Sequence, residues 1–283
     1  MISEHWSDKM KKGTLYICPT PIGNLEDITL RVLKVLKEVD LIAAEDTRHT
    51  IKLLNHYGIK KPLTSYHEHN IKEKGIELTE KLNQGINIAL VSDAGMPGIS
   101  DPGADLIKKA IDEGIDVVPL PGPTASITAL IISGLPTDKF IFYGFLSSKR
   151  NERIKELEEI RKYKMTTIIY EAPHRLLDLL EDMDKVLGNR RISISRELTK
   201  KYEETFRGTP MEALEKFKSS GVKGEFVIVV EGNKEEENLD IDIEEILREY
   251  ISRGYTKKEA VKIISQKYNL PKNDVYKISL KLD

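Results

Sequence analysis

Short apolar runs rich in β-branched residues alternate with longer amphipathic stretches, and this alternation constrains the fold more than any other feature. Four runs in the first half are predicted as strands, at residues 14–18, 41–44, 88–92 and 116–120. The stretches between them repeat apolar residues every three or four positions, which predicts helices at residues 28–38, 71–84 and 104–113. Because near-continuous apolar strands are covered by helices on both faces, we predict a mainly parallel α/β sheet.

The alternation resumes after Pro136. Further strands are predicted at residues 140–145, 166–170, 191–195 and 226–230, and helices at residues 149–163 and 175–187. Gly134, Pro136 and Asp138 interrupt the pattern, so a boundary is expected there. We predict an N-terminal α/β domain at residues 13–137 and a C-terminal α/β domain at residues 138–234.

A third part follows the polar stretch 232–238, which is predicted to be a linker. Short helices are predicted beyond it, at residues 243–252, 257–268 and 273–282. Two short helices joined by a tight connection are typical of a helix-turn-helix. We therefore predict a small helical, helix-turn-helix-like module at residues 241–283.

The charge is unevenly distributed. The whole chain has 44 basic and 46 acidic residues, a net charge of −2, so overall attraction to RNA is not predicted. Residues 251–282 contain 8 Lys/Arg and 2 Asp/Glu, which gives this part a local excess of +6. This excess fits either an RNA-facing surface or a packing module with a solvated basic face, and both interpretations stay open.

Cys18 is the single cysteine, so it has no disulfide partner within the chain and is expected to be a small core residue. Residues 1–12 lack the apolar stretch of a signal peptide. No run reaches the roughly 18 uninterrupted apolar residues of a membrane span. We expect a soluble, cytoplasmic protein with no membrane partner.

Three loops that follow predicted strands are candidates for ligand binding, since α/β proteins bind ligands at this edge of the sheet. They lie at residues 19–25, 92–103 and 121–126 and are rich in Gly and Pro. The second, Ser-Asp-Ala-Gly-Met-Pro-Gly-Ile-Ser-Asp-Pro-Gly, has more conformationally special residues than a structural turn needs. It lacks the Lys-Ser/Thr end of a phosphate-binding P-loop. In the third loop, Thr124 fits either a helix cap or a ligand contact.

These loops resemble the ribosomal RNA small subunit methyltransferase I family. The resemblance rests on many ordered segments, namely 19–25, 44–48, 92–103, 170–175, 196–200 and 224–226. It implies a tetrapyrrole methylase-like fold of two α/β domains, with an S-adenosylmethionine cleft between them and a C-terminal helical module. It also implies a homodimer that methylates the 2′-oxygen of a cytidine in 16S ribosomal RNA, with the small ribosomal subunit as partner.

The resemblance further implies a set of cofactor-binding residues drawn from both domains. They are Asp93, Ala94, Gly95, Pro97, Thr124, Ala125, Glu171, Ala172, Leu198 and Glu225. Physically, the Asp93 carboxylate can accept hydrogen bonds, and the small residues leave room for a flat adenine ring.

Methyl transfer to a hydroxyl benefits from a general base, and Glu45 and Asp46 are the first candidates because they end a strand beside the first loop. Arg48 and Lys200 are candidate phosphate ligands. The structural alternative is that Glu45 or Asp46 caps the following helix or pairs with Arg48. No metal is expected, since no His, Cys and carboxylate cluster has zinc-ligand spacing and His67 and His69 are expected at the surface.

Two other functions compete with this hypothesis. Tetrapyrrole-modifying relatives often have Gly-Asp in the first loop, whereas this chain has Gly23-Asn24 and a basic tail that a small substrate does not need. A non-catalytic RNA-binding assembly factor that keeps the fold is the second alternative. A dinucleotide-dependent oxidoreductase is disfavoured, because no Gly-x-Gly-x-x-Gly follows the first strand.

Overall fold

A computed structural model describes residues 11–234, 242–268 and 270–282. The chain divides into two compact units, Met1–Asn233 and Lys234–Asp283. Residues 1–10, which belong to the segment 1–12, lie outside the described residues. Residues 235–241, which include most of the expected linker and the first residue of the predicted helical module, also lie outside them. The three-part division made from the sequence stays a prediction.

The first sheet is fully parallel. Its strands are β1 (Thr14–Ile17), β2 (Leu41–Ala44), β3 (Leu63–Ser65), β4 (Ile88–Val91) and β5 (Asp116–Pro119). They lie in the order β3-β2-β4-β1-β5. Leu15, Ile42 and Ile88 are fully buried, since helices cover both faces of the sheet. This half of the chain confirms the predicted parallel arrangement.

Four of the helices of this half, those between β1 and β5, return the chain from one parallel strand to the next, and the fifth follows β5. They are α1 (Leu30–Glu38), α2 (Thr47–His56), α3 (Ile71–Asn83), α4 (Ala104–Asp112) and α5 (Ala125–Ser133). Thr29 caps α1 by accepting a hydrogen bond from the Val32 amide at 3.2 Å. Cys18 is buried in the core beside α1, and burial raises the pKa of its thiol to about 12, as expected for a packing residue.

The second sheet differs from the mainly parallel prediction. Its strands are β6 (Phe140–Phe145), β7 (Thr166–Glu171), β8 (Ile192–Arg196), β9 (Glu204–Gly208) and β10 (Phe226–Val230). In the order β6-β7-β10-β8-β9, β6 and β7 are parallel and the other three pairings are antiparallel. A strand that is buried on both faces is apolar whether its neighbours are parallel or antiparallel. Composition alone therefore does not distinguish parallel from antiparallel pairing.

The helices around the second sheet are α6 (Arg150–Lys162), α7 (Leu176–Leu187) and α8 (Pro210–Ser220). α8 was not predicted, although its start has a sequence signature. Thr209 and Glu212 form a capping box, and Pro210 occupies the first turn.

Helix α5 joins the two sheets. It follows the last strand of the first sheet, yet its Ala129 and Leu130 pack against Ile168 and Val229 of the second sheet. Because α5 crosses over in this way, the loop before it is held between the two halves of the first unit. This placement creates the site described below.

The second unit contains α9 (Ile243–Ser252), α10 (Lys257–Lys267) and α11 (Lys272–Ser279), close to the predicted positions. Leu247, Ile264 and Val275 form its buried core. Thr256 and Glu259 form a capping box at the start of α10. The lysines of α10 and α11 are exposed and outnumber the acidic residues there, so the surface of these two helices has an excess of positive charge.

Candidate functional site

A cavity of about 630 Å³ lies between the two halves of the first unit. One wall consists of residues 94–96 and 99–101 after β4 and residues 124–127 at the start of α5. The other wall consists of aromatic residues of β6, the end of β7 and the start of β10. The cavity therefore meets the carboxyl edge of the parallel sheet, where α/β proteins bind ligands.

Eight of the ten predicted cofactor residues line this cavity. They are Ala94, Gly95, Thr124, Ala125, Glu171, Ala172, Leu198 and Glu225. Asp93 and Pro97 belong to the same loop but are not among the lining residues. Thr124 forms no side-chain capping hydrogen bond with α5. It lines the cavity, so its position fits a ligand contact and not a side-chain helix cap.

The loop after β4 is held by the first loop. Thr20 and Gly95 exchange two backbone hydrogen bonds of 2.9 and 3.0 Å. Thr20 Oγ1 also donates to the Ser92 carbonyl at 3.0 Å. Gly95 has φ of +80°, a conformation that a side chain would strain. These contacts fix the backbone of Ala94 and Gly95 at the cavity wall.

Asp101 lines the cavity but is not one of the ten predicted cofactor residues. Burial raises the pKa of its carboxyl to about 6, and the nearby charges of Glu45 and Asp93 add to the shift. The residue belongs to the second Ser-Asp pair of the 92–103 loop, and this repeated pair is the sequence feature that indicates a second candidate carboxylate. Its carboxylate is partly desolvated, so a cationic ligand in the cavity would interact with it strongly.

The predicted catalytic acids Glu45 and Asp46 are not among the cavity-lining residues, and they contact Asp93 of this loop. The Asp93 amide donates to Glu45 Oε2 at 3.4 Å, and the Asp46 amide donates to Asp93 Oδ1 at 3.1 Å. Burial, partly offset by the hydrogen bond from Asp93, raises the pKa of Glu45. Glu45, Asp46 and Asp93 are thus joined in one network at the end of β2 and β4.

Asp46 caps the following helix and pairs with Arg48, which is the structural alternative to a catalytic role. Its Oδ1 accepts from the Arg48 amide at 2.8 Å and caps α2, and its Oδ2 lies 2.7 Å from Arg48 Nη2. The hydrogen bonds from Arg48 hold the pKa of Asp46 far below its usual value. The Arg48 side chain is 88% exposed.

Glu171 is a buried carboxylate in the cavity wall. Its Oε1 accepts from the Ala172 amide at 2.8 Å and lies 3.2 Å from Arg175 Nε. Its Oε2 has no hydrogen-bond partner within the part of the chain that the structure describes. A buried acceptor of this kind usually has a partner, so Oε2 can accept a hydrogen bond from a bound ligand.

Lys200 is held by two acidic side chains at the cavity rim. Its Nζ lies 2.9 Å from both Glu197 Oε1 and Glu225 Oε2. The Glu225 amide donates to Glu197 Oε1 at 3.0 Å, which closes the network. Lys200 therefore links the turn after β8 to the start of β10.

Chemically, the cavity combines aromatic walls with carboxylates. Phe142 and Phe145 each contact Tyr170 edge to face, with ring centroids 5.1 and 5.7 Å apart. Asp101 and Glu171 add negative charge to this apolar surface. Such a site suits a ligand with a flat apolar ring and a positive charge.

Within residues 11–234, 242–268 and 270–282, no group of three or more His, Cys, Asp or Glu side chains is arranged to hold a metal ion. His69 is exposed as expected, whereas His67 is half-buried. None of the described helices is both long and apolar enough to cross a membrane.

Comparison with known proteins identifies the family. Residues 14–215 match the family described as Tetrapyrrole (Corrin/Porphyrin) Methylases. A protein of Halalkalibacterium halodurans named Ribosomal RNA small subunit methyltransferase I is 50% identical over 285 residues, covering 97% of each chain. The Bacillus subtilis protein of the same name is 50% identical over 278 residues, covering 96% of this chain and 95% of its own.

Solved structures share the fold at low identity. Diphthine synthase superposes with a TM-score of 0.60 at 14% identity, covering 77% of this chain and 90% of its own. Uroporphyrin-III C-methyl transferase from Thermus thermophilus, complexed with S-adenyl homocysteine, gives 0.54 at 16% identity, covering 77% and 97%. The predicted tetrapyrrole methylase fold is thereby confirmed. The chain belongs to the tetrapyrrole methylases and, within them, to the ribosomal RNA small subunit methyltransferase I family.

Proposed function

We propose that this protein uses S-adenosylmethionine to methylate the 2′-hydroxyl of a cytidine in 16S ribosomal RNA. The observation that carries the proposal is the cavity, which gathers eight residues from distant segments that the family resemblance assigns to the cofactor. Relatives that match nearly the whole chain are named as small-subunit ribosomal RNA methyltransferases. Together these support a methyltransferase whose substrate is ribosomal RNA.

The cavity fits the proposed cofactor in size and charge. Its volume of about 630 Å³ is within the roughly 300–1,000 Å³ of small-molecule sites. Ala94 and Ala125 leave room for a flat adenine, while Asp101 and Glu171 complement the positive charges of the sulfonium and amino groups. The unpartnered Oε2 of Glu171 is a further acceptor. When bound, the cofactor would supply an electrophilic methyl group.

The protein contributes orientation and proton removal. A rigid cavity that holds the hydroxyl in line with the methyl group can lower the barrier by roughly 7–11 kcal/mol in favourable cases. Of the two proposed bases, Glu45 is better suited. Burial raises its pKa and makes it more basic, whereas the hydrogen bonds from Arg48 lower the pKa of Asp46 and make it a weaker base. Arg48 remains a proposed phosphate ligand because its side chain is exposed, while Lys200 is already engaged by Glu197 and Glu225.

The proposal is tested by incubating the protein with labelled S-adenosylmethionine and purified 30S particles, followed by nucleoside mapping. We expect one labelled product, a 2′-O-methylated cytidine in 16S ribosomal RNA. Label on a base, or on another nucleotide, would contradict the proposed position. Cofactor binding without transfer to the particles would instead favour a non-catalytic assembly factor or a different acceptor.

The helical module is proposed to add RNA affinity. Lys258, Lys262 and Lys272 are exposed, and none forms an ion pair within the described part of this unit. Each Lys that contacts a phosphate contributes about 0.7–0.9 to the slope of log affinity against log salt concentration. Replacing all three with Gln should therefore lower this slope by about 2–3, without changing cofactor affinity.

Filter binding of 16S ribosomal RNA over a salt series measures this slope. The matched control replaces three exposed lysines of the first unit, Lys34, Lys37 and Lys185, with Gln. Equal slopes for the two triple variants would show that the module is only a packing element.

We also propose that the protein acts in the cytoplasm as a homodimer. Exposed isoleucines on α5, Ile127, Ile131 and Ile132, offer an apolar surface that a second copy could cover.

A further inference from the structure

The turn after β8 is strained. Glu197 and Thr199 have φ of 52° and 66°, and they are the non-glycine residues with positive φ among those described. Thr199 is β-branched, so its conformation is a genuine outlier. Strain of this kind persists only where surrounding contacts impose it, and it concentrates at functional sites.

The base of this turn is attached to the cavity. Leu198, between the two strained residues, is 6% exposed and lines the cavity wall. Thr199 Oγ1 accepts from the Asn24 amide at 3.0 Å, and the Thr199 amide donates to Glu203 Oε2 at 2.6 Å. The turn is therefore fixed both to the cavity wall and to the first loop.

The tip of the same turn points into solvent. Tyr202 is 70% exposed, and Lys201 Nζ lies 5.6 Å from the centre of its ring. Within residues 11–234, Lys201 has no ion-pair partner, in contrast to the neighbouring Lys200. The ring of Tyr202 contributes little to the core and is accessible to a ligand.

We infer that Tyr202 stacks on a nucleobase of the substrate RNA, next to the nucleotide that enters the cavity, and that Lys201 contacts the adjoining phosphate. Unpaired RNA is recognised in this way, by aromatic rings that stack on exposed bases and by cations along the backbone. Tyr202 lies in the same turn as Leu198, which lines the cavity, so we expect an RNA strand that reaches the cavity to pass near the ring. This inference rests on the proposed function, which supplies RNA as the substrate.

The test compares Tyr202→Ala and Tyr202→Phe in the full-length protein. Loss of one stacked base lowers affinity by about 5- to 160-fold, so kcat/KM for methyl transfer to 30S particles should fall by that factor in Tyr202→Ala. The loss should lie mainly in KM and should be largely restored in Tyr202→Phe, which keeps the ring. Cofactor affinity, measured by calorimetry, and thermal stability should stay at wild-type values.

Lys201→Ala should reduce the salt slope of 16S ribosomal RNA binding by about 1. Its control is Lys185→Ala, an exposed lysine near the end of α7, which precedes the start of β8, whereas the Lys201 turn follows the end of that strand. Equal slopes for these two variants would overturn the phosphate contact.

Three outcomes would overturn the stacking role. They are wild-type kcat/KM in Tyr202→Ala, an equal loss in Tyr202→Phe, and a loss on particles without loss of affinity for protein-free 16S RNA. The last result would mean that Tyr202 contacts a ribosomal protein. If the wild-type protein itself transfers no methyl group to RNA, the proposed function fails first, and the inference fails with it.

Discussion

Replacing Asp182 with alanine is expected to lower the free energy of unfolding by about 3–5 kcal/mol, because it leaves a buried guanidinium without its partner. The Asp182 side chain is 1% exposed, and that of Arg153 is 5% exposed. Asp182 Oδ2 accepts from Arg153 Nε and Nη2 at 3.0 and 2.7 Å, and Oδ1 accepts from Arg150 Nε at 3.0 Å. These contacts join α6 to α7 against the second sheet.

Urea denaturation followed by circular dichroism measures this loss. The control is Asp178→Ala, which removes an exposed carboxylate from the first turn of the same helix and should cost less than about 1 kcal/mol. A loss of stability no larger than that of the control would show that Arg153 reaches water or another acceptor when Asp182 is absent.

Replacing Asp101 with asparagine is expected to weaken S-adenosylmethionine binding by at least about tenfold. The substitution keeps the size of the side chain but removes a charge from the cavity wall, and a hydrogen bond to a charged group contributes about 1.5–3 kcal/mol. Isothermal titration calorimetry gives the dissociation constant. Asp105→Asn, at an exposed position in the first turn of α4, is the matched control and should bind like the wild type.

The same carboxyl gives a pH dependence of defined sign. Its pKa is raised to about 6 from 3.8, chiefly by burial, so protonation below pH 6 removes the charge that attracts a cationic ligand. Wild-type affinity should therefore fall between pH 7.5 and pH 5, whereas Asp101→Asn should show a smaller change. Parallel pH profiles for the two proteins would contradict this role.

The stability of the ligand-free protein should change with pH in the opposite direction to the ligand affinity. Because the folded state binds this proton more tightly than the unfolded state, the contribution of Asp101 to stability is fully present below about pH 4 and is lost as pH rises through 6. The difference in urea midpoint between wild type and Asp101→Asn, measured from pH 4 to pH 8, isolates this contribution.

Eight strands were predicted from apolar runs, and the structure contains all eight with ends shifted by at most one residue. The strands that were missed, β3 and β9, lie at the edges of their sheets. The edge strands β5 and β6 were predicted from their apolar runs, whereas β3 and β9, which contain no buried residue, lack such a run. β9, for example, reads Glu-Thr-Phe-Arg-Gly.

The site was predicted in part. Family motifs indicated eight residues that line the cavity, because each motif is local in the chain. They did not separate Asp93, which hydrogen bonds to the Asp46 amide, from Asp101, which faces the cavity. That difference depends on how one loop packs against the end of β2, and the local sequence of the loop does not determine this packing.

By itself, the sequence determined the elements of the fold, because burial imposes apolar periodicity on each strand and helix separately. It also determined the family, through ordered motifs spread along the chain. Only the tertiary structure decided the antiparallel pairing of the second sheet and the crossing of α5 onto it. It also decided the surroundings of Asp101 and the exposure of Tyr202 in the turn after β8. These depend on contacts between residues far apart in the chain, which local periodicity does not encode.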